Sequence, residues 1–416
     1  MARHEGERVE DARGEGAPPA ATGAAMRRAE LTFKANAGRH GWLRLTPAYG
    51  VRLAAELLAD APRDARVLDP FAGSGTTVLA AAERGHEAAG VELNPFLVGF
   101  ANLKLGRFRR STLGEVHRRA EAALADLRAH APHPAPPIHK IHRWWAPPVL
   151  EWLCRVRGGL DLRGRPGALL EVAFLRTMIG LSGASFGHVS MSFQDAPPEL
   201  PASAAARFRE DVAAVIAGAR SPVPGRGRVR RADARTLAPL EGVYERVLTS
   251  PPYPNRISYV RELRPYMYWS GHLAEARQAG ELDWEAIGGT WGVATSRLKE
   301  WTPRAPVPDD LAPTLVAIAD AAPADKRANG PLLANYVARY FEDMAAHFRA
   351  LRPHVAAGGR LDYVVGNASF YGVLVPAERL LAARMGTAGF GDAQARVLRK
   401  RNSKRELYEY VITAHG

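Results

Sequence analysis

The chain has 416 residues, 47% of them hydrophobic, enough for one large or two ordinary domains around a sizeable core. No run of eighteen or more apolar residues occurs, and the charged start MARHEGERVEDARGEG lacks an apolar signal stretch, so neither a membrane span nor secretion is expected. The lone Cys154 excludes an internal disulfide framework and a CxxC metal site, and the thirteen histidines show no paired ligand spacing; a cytoplasmic enzyme without metal is expected.

The net charge is +13. Residues 1–28 hold five Arg against five acids, so the excess lies on the body of the protein. It concentrates at Arg226, Arg228, Arg230 and Arg231, and again at Arg396, Arg399, Lys400, Arg401, Lys404 and Arg405. A polyanion would account for these clusters through counterion release; an Arg-rich solvated surface is the competing explanation.

In chain order, residues 1–28 are aperiodic and rich in Gly, Ala, Glu and Arg, the pattern of a disordered tail. Thr46-Pro47 opens an amphipathic helix to about Ala59. ARVLD (65–69) reads as a buried strand, followed by a Gly-rich turn and the helix GTTVLAAAERG. HEAAGVE (86–92) is a second strand, and Asn94-Pro95 starts the next helix. This β-α-β pattern predicts a parallel sheet with a right-handed crossover.

Residues 107–224 interrupt it. After the Pro-rich break AHAPHPAPP (129–137), segments 147–156, 168–182 and 203–219 read as helices. They form a mainly helical insertion between the second and third core strands and a candidate target-recognition element. The catalytic domain is then 29–106 plus 225–416. Trp144 and Trp145 are expected in the core rather than stacked on a ligand. Strands return at RVRRAD (228–233) and YERVLTS (244–250). Residues 271–329, with four prolines from Pro303 to Pro313, read as irregular. A helix over 331–351, a strand RLDYVVGN (360–367), a helix over 376–386 and a terminal hairpin (395–400 and 406–414) follow, with RKRNSKR (399–405) at its tip as a phosphate clamp.

The sharpest local feature is Asp69-Pro70-Phe71-Ala72-Gly73-Ser74-Gly75-Thr76-Thr77, between a strand and a helix N-terminus. Glycines there let backbone approach a ligand, and the helix start offers free N–H groups. Glu92, nineteen residues after Gly73, ends the next strand, where a carboxylate can accept from ribose hydroxyls. The spacing is not GxGxxG, no GK[ST] follows, and Asp69 would repel phosphate. Asp69 instead suits a cationic methionine portion, so the expected cofactor is S-adenosyl-L-methionine. A tight βα turn without a ligand is the alternative for the glycines alone.

Directly after the strand ERVLT comes Ser250-Pro251-Pro252-Tyr253. Paired prolines fix the direction of the intervening carbonyl. An exocyclic base amine is a poor nucleophile because its lone pair is delocalised into the ring. Two acceptors, Ser250 Oγ and the Pro251 carbonyl, can draw both N–H groups and free that lone pair. Tyr253 supplies a face for an extruded base. A strand-ending Pro-Pro turn with a core tyrosine is the structural alternative. Downstream, Asn255 and Arg256 are candidates for contact with the base or its phosphates.

These two motifs together resemble the DNA amino-methyltransferase family. DPFAGSGTT looks like its cofactor motif and TSPPY like its catalytic motif, with the cofactor motif first, which is the non-permuted order. The resemblance implies an α/β, Rossmann-like seven-stranded sheet ending in a reversed hairpin. It implies cofactor contacts from Asp69, Phe71, Ala72, Gly73, Ser74, Gly75, Thr76, Glu92 and Asn94. It implies an adenine contact at Asp233 and a covering segment around Lys34 and Thr46. Ser250 is similar to the cytosine-N4 subgroup. The implied partner is DNA, with Arg399, Arg401, Lys404 and Arg405 on its phosphates and cognate restriction or defence proteins alongside. Adenine N6, an RNA base amine, and a non-catalytic cofactor-sensing subunit are the alternatives.

Overall fold

The computed structural model describes residues 38–45, 50–185, 192–289, 293–401 and 406–416. The expectations for residues 1–28, for Lys34, and for Thr46 with its helix start therefore lie outside the described residues. Seven strands, β1 (Arg66–Asp69), β2 (Glu87–Glu92), β3 (Arg226–Arg231), β4 (Tyr244–Thr249), β5 (Val355–Gly366), β6 (Gly391–Lys400) and β7 (Tyr408–His415), form one sheet in the order β6-β7-β5-β4-β1-β2-β3. Strands β3, β2, β1, β4 and β5 run parallel, and β7 is antiparallel to both neighbours. This is the expected Rossmann-like seven-stranded sheet with its reversed final hairpin.

The central strands are apolar on both faces: Val67, Leu68, Val247 and Leu248 are all fully buried. Burial on both sides follows from helical crossovers covering a parallel sheet. Edge strand β3 differs, with Val229 the residue it buries among four arginines. Charge on an unpaired edge discourages pairing with other chains. The chain leaves β1 toward β2 on one side, while β4 flanks β1 on the other. A crevice opens at such a reversal, beyond the carboxyl ends of the strands.

Helices α1 (Val51–Leu57), α2 (Thr76–Glu83) and α3 (Pro95–Lys104) precede the interruption of the sheet. Within it lie α4 (Arg110–Ala125), α5 (Pro147–Gly159), α6 (Gly164–Gly180) and α7 (Ala204–Arg220), with a two-residue hairpin at Ala184–Ser185 and Ser192–Phe193. Their apolar faces share one cluster with Phe96 and Phe100 of α3 and with Tyr266–Trp269 of α8 (Arg264–Trp269). Trp145 is fully buried there and donates Nε1–H to the Met178 carbonyl at 2.9 Å. Both tryptophans of the pair are core residues.

The structure corrects three readings. Helix α4 was hidden in a stretch with many charges. Residues 271–329 are not irregular: they hold α9 (Ala276–Glu285), α10 (Val293–Glu300) and α11 (Ala312–Asp320). Pro313 lies in the first turn of α11, where a missing N–H costs nothing, so it opens a helix rather than breaking one. Strand β5 begins at Val355, five residues early, because Gly358-Gly359 masks its alternation. Helices α12 (Asn329–Leu351) and α13 (Ala377–Thr387) match the periodicity closely. No helix among the described residues is long and apolar enough to cross a membrane.

Arg39 pins the helical layer to the sheet. It is 2% exposed, and its guanidinium donates to the carbonyls of Lys104 and Gly106 at the end of α3 and of Gly218, Ala219 and Ser221 at the end of α7. A buried cation between two helix C-termini meets both orphan carbonyls and the negative ends of two dipoles. Arg39→Met should leave those carbonyls without a donor and cost about 3 kcal/mol, read as a lower urea midpoint.

Candidate functional site

One cavity of ≈ 520 Å³ opens at the carboxyl ends of β1 and β4. Phe71, Ala72, Gly73, Ser74 and Thr76 line it from the loop after β1. Glu92 ends β2 and Asn94 follows it, and Asp233 follows β3. Ser250, Pro251, Pro252, Tyr253 and Asn255 follow β4, while Arg399, Arg401 and Glu409 enter from the final hairpin. Both sequence motifs therefore share one chamber.

The first loop turns at Gly75, the N-cap of α2. Its φ is +78°, and a Cβ there would stand 2.8 Å from the Ala101 Cβ. Both the dihedral and the contact demand glycine. Glu92 braces the same loop: Oε2 accepts from the Gly73 N–H at 2.9 Å, and Oε1 from the Asn94 N–H at 2.8 Å. Burial, with a smaller contribution from the Asp69 charge, pushes the Glu92 carboxyl up to about 7 against those two N–H donors. Asn94 caps α3: its Oδ1 accepts from Phe96 N–H at 3.0 Å and its Nδ2 meets the Met267 sulfur at 3.4 Å. Its amide thus holds the helix start.

Asp69 does not face the chamber as expected. It is 1% exposed, and its Oδ1 accepts from the Thr249 hydroxyl at 2.6 Å and from the Phe71 N–H at 3.0 Å. Burial lifts its pKa to about 6 despite hydrogen bonds from Thr249, Thr77 and Phe71. The carboxylate ties the two loops together instead of meeting a cation. Asp233 does line the chamber, but its charge is paired with Arg235 at 2.7 Å, which also reaches Asp343 at 3.2 Å. Beneath the floor, His347 packs edge-on against Phe71 with ring centroids 4.7 Å apart. Its Nδ1 donates to the Ala234 carbonyl and its Nε2 accepts from the Tyr363 hydroxyl. Burial lowers its pKa to about 4, so the ring is neutral.

Phenols hold the second loop. Tyr340 donates to the Pro252 carbonyl at 2.8 Å, and Tyr259 Oη accepts from the Tyr253 N–H at 2.7 Å. Tyr336 Oη accepts from the Arg256 N–H at 3.0 Å and donates to the Tyr253 carbonyl at 3.4 Å. Arg256 takes a left-handed φ of +55°, a strained conformation that the Tyr336 bond supports. Asn255 Oδ1 is buried without a hydrogen-bond partner among the described residues. Tyr253 Oη donates to Glu409 Oε1 at 2.9 Å and receives a longer contact of 3.4 Å from Ser250 Oγ. Burial, then the neighbouring Glu409 charge, raise the Tyr253 pKa well above its usual value, so the phenol keeps its proton.

Arg399 and Arg401, expected as outward phosphate contacts, turn inward. Arg399 pairs with Glu409 at 2.7 Å; Arg401 lies 5.5 Å from the Tyr253 ring centroid and donates to the Asn367 carbonyl at 2.8 Å. Lys404 and Arg405 lie outside the described residues. The sequence reading missed Thr249, Tyr336, Tyr340 and Glu409. A signal existed for the last of these: Glu409 occupies a buried phase of β7, shared with Val411, where a carboxylate demands partners.

Residues 56–102 match a family model described as DNA methylase, of the N6/N4 methyltransferase type. No curated protein matches the chain. Among solved structures, TrmN from Thermus thermophilus is similar at 15% identity and a TM-score of 0.32, over 88% of this chain and 48% of that one. The chain therefore spans about half the length of TrmN. The rRNA methyltransferase aviRa from Streptomyces viridochromogenes is similar at 13% identity and a TM-score of 0.31, over 90% of this chain and 87% of that one.

The cofactor of this family is S-adenosylmethionine, and the residues present fit it. Glu92 lines the chamber with carboxylate oxygens that could accept from ribose hydroxyls, the Gly73 turn brings backbone close, and Phe71, Leu93 and Ile287 put apolar surface on the chamber wall for a flat base. Protonation of Glu92 removes its acceptor charge, so cofactor affinity should fall as pH drops through about 7, and Glu92→Gln should flatten that profile in calorimetry. Stability moves the other way. The folded state holds this proton more tightly than the unfolded chain, so stability from Glu92 is present below pH 4.5 and is lost as pH rises through about 7. Thr249→Val should leave the buried Asp69 one donor short, cost about 1–3 kcal/mol in unfolding, and weaken cofactor binding by loosening the first loop.

Proposed function

We propose, for a chain whose residues 56–102 carry the cofactor half of the DNA amino-methyltransferase family, that it methylates the exocyclic amine of an extruded nucleic-acid base, cytosine N4 in DNA first among the candidates. One observation carries this reading: the loop after Asp69 and the loop after Thr249 line a single chamber, with Ser250 and Pro251 on its wall. The cofactor supplies an electrophilic methyl group on a sulfonium.

The protein's own part is positioning and directed dipoles. Ser250 Oγ and the Pro251 carbonyl accept the two amine hydrogens, so the nitrogen becomes pyramidal and its lone pair turns away from the ring. Tyr340, on the Pro252 carbonyl, keeps the adjacent peptide from rotating. Tyr253 offers a ring face to the base, while Asn255 lines the same chamber and can meet the base edge. With the cofactor bound, its methyl would form the N–C bond as the S–C bond broke, and the nitrogen would then release one proton to solvent. No strong general base is required, because the methylated cationic amine is acidic.

Ser250 favours cytosine N4, and a positively charged chain favours a polyanion, with DNA as the partner. Expression in a host free of DNA methylation, followed by nucleoside mass spectrometry, checks this. N4-methylcytosine in DNA is expected, and Ser250→Ala should reduce it by about a hundredfold or more. N6-methyladenine in DNA, or a methylated amine in RNA, would move the substrate and keep the chemistry. Unmethylated DNA and RNA together would refute the reading.

A further inference from the structure

Among the described residues of the final hairpin, Glu409 is the one group that reaches the catalytic loop through a side-chain hydrogen bond to a motif residue. It is 6% exposed, paired with Arg399 at 2.7 Å and accepting from Tyr253 Oη at 2.9 Å. A carboxylate in an ion pair has no hydrogen to give. The phenol must therefore point its single hydrogen at Glu409, and its oxygen is left only lone pairs for other neighbours. The neighbour within reach is Ser250 Oγ at 3.4 Å. Its hydroxyl hydrogen is drawn toward Tyr253, which leaves lone pairs on the side of the chamber.

We infer that Glu409 is a positioning residue that sets the polarity of this chain, making Ser250 an acceptor toward substrate and so selecting a base amine over a ring nitrogen or carbonyl. This rests on the proposed amine methylation. A freely rotating serine could donate as readily as accept, and would welcome a substrate acceptor in place of an N–H. Direction, rather than the mere presence of a hydroxyl, discriminates between the two.

Packing around the ring supports the assignment. Arg401 covers the Tyr253 ring on one side at 5.5 Å, and Gly366 backs it closely. A Cβ at Gly366 would stand 2.9 Å from Tyr253 Cδ2 and 2.1 Å from Arg401 Nη1, so β5 needs glycine here for the ring and the guanidinium to fit. Gly366 is also the direct cross-strand partner of Glu409. The carboxylate, the phenol and the arginine are thus assembled by one register between β5 and β7, and the register keeps the ring from turning its hydroxyl elsewhere.

The test is a double-mutant cycle read by single-turnover methyl transfer to nucleic acid, with cofactor affinity measured alongside. Glu409→Gln keeps the shape but can turn either its carbonyl or its N–H₂ to the phenol; Glu409→Leu removes the acceptor altogether. Each should lower the transfer rate by about tenfold or more while changing cofactor affinity by less than about twofold. In the Ser250→Ala background the same Glu409 changes should cost less than about twofold, because the hydrogen they orient is gone. Equal losses in both backgrounds would overturn the role, as would Glu409 variants that transfer at the unmutated rate. An unmutated protein that methylates no nucleic acid would overturn both this inference and the function beneath it, whereas active unmutated protein with active Glu409 variants removes only the inference.

Discussion

A buried hydrogen bond from Thr249 Oγ1 to Asp69 Oδ1 joins the carboxyl ends of the two central strands, and the chamber depends on it. Parallel strands are held along their length by the ladder, but the loops that leave them have no such constraint. Here the last residue of β1 reaches the last residue of β4, both buried, at 2.6 Å. The two loops therefore open from one rigid point. The proposed transfer needs a methyl donor and an acceptor nitrogen within a few tenths of an ångström of a productive geometry, which separate flexible loops would not provide.

The rest of the site follows a related physical rule, that buried charged groups are met by partners. Glu92 holds two backbone N–H groups, Asp233 holds Arg235, and Glu409 holds Arg399 and Tyr253. Three phenols occupy polar backbone groups of the loop after β4. Burial also raises both central carboxyls, to about 6 for Asp69 and about 7 for Glu92, which couples the state of the loop to pH near neutrality.

The helical insertion is bound to this machinery through its core and not through a linker alone. Trp145, Phe174 and Trp269 meet edge to face, and the same apolar cluster takes in Phe96 of α3, two residues from Asn94. Arg39 then fastens the end of α3 to the end of α7. Any strain on the insertion has a short packed route to the chamber wall.

The sequence by itself determined the sheet and the two loops that meet at its edge. DPFAGSGTT and SPPY are written within nine and four residues, so spacing alone carries their turns, their free N–H groups and their directed carbonyl. Helices with a clean 3.6-residue period, such as Asn329–Leu351, were legible for the same local reason, whereas α9 to α11 were obscured by prolines that proved to lie in loops or at a helix start. Only the tertiary structure decided which way the charged groups face. Asp69 turned inward because Thr249, 180 residues away, offers a donor that water cannot replace in a buried position, and Arg399 and Arg401 turned inward because the β5–β7 register sets Glu409 opposite Gly366. A side chain's partner across a sheet is a property of register, which no local pattern of residue types contains.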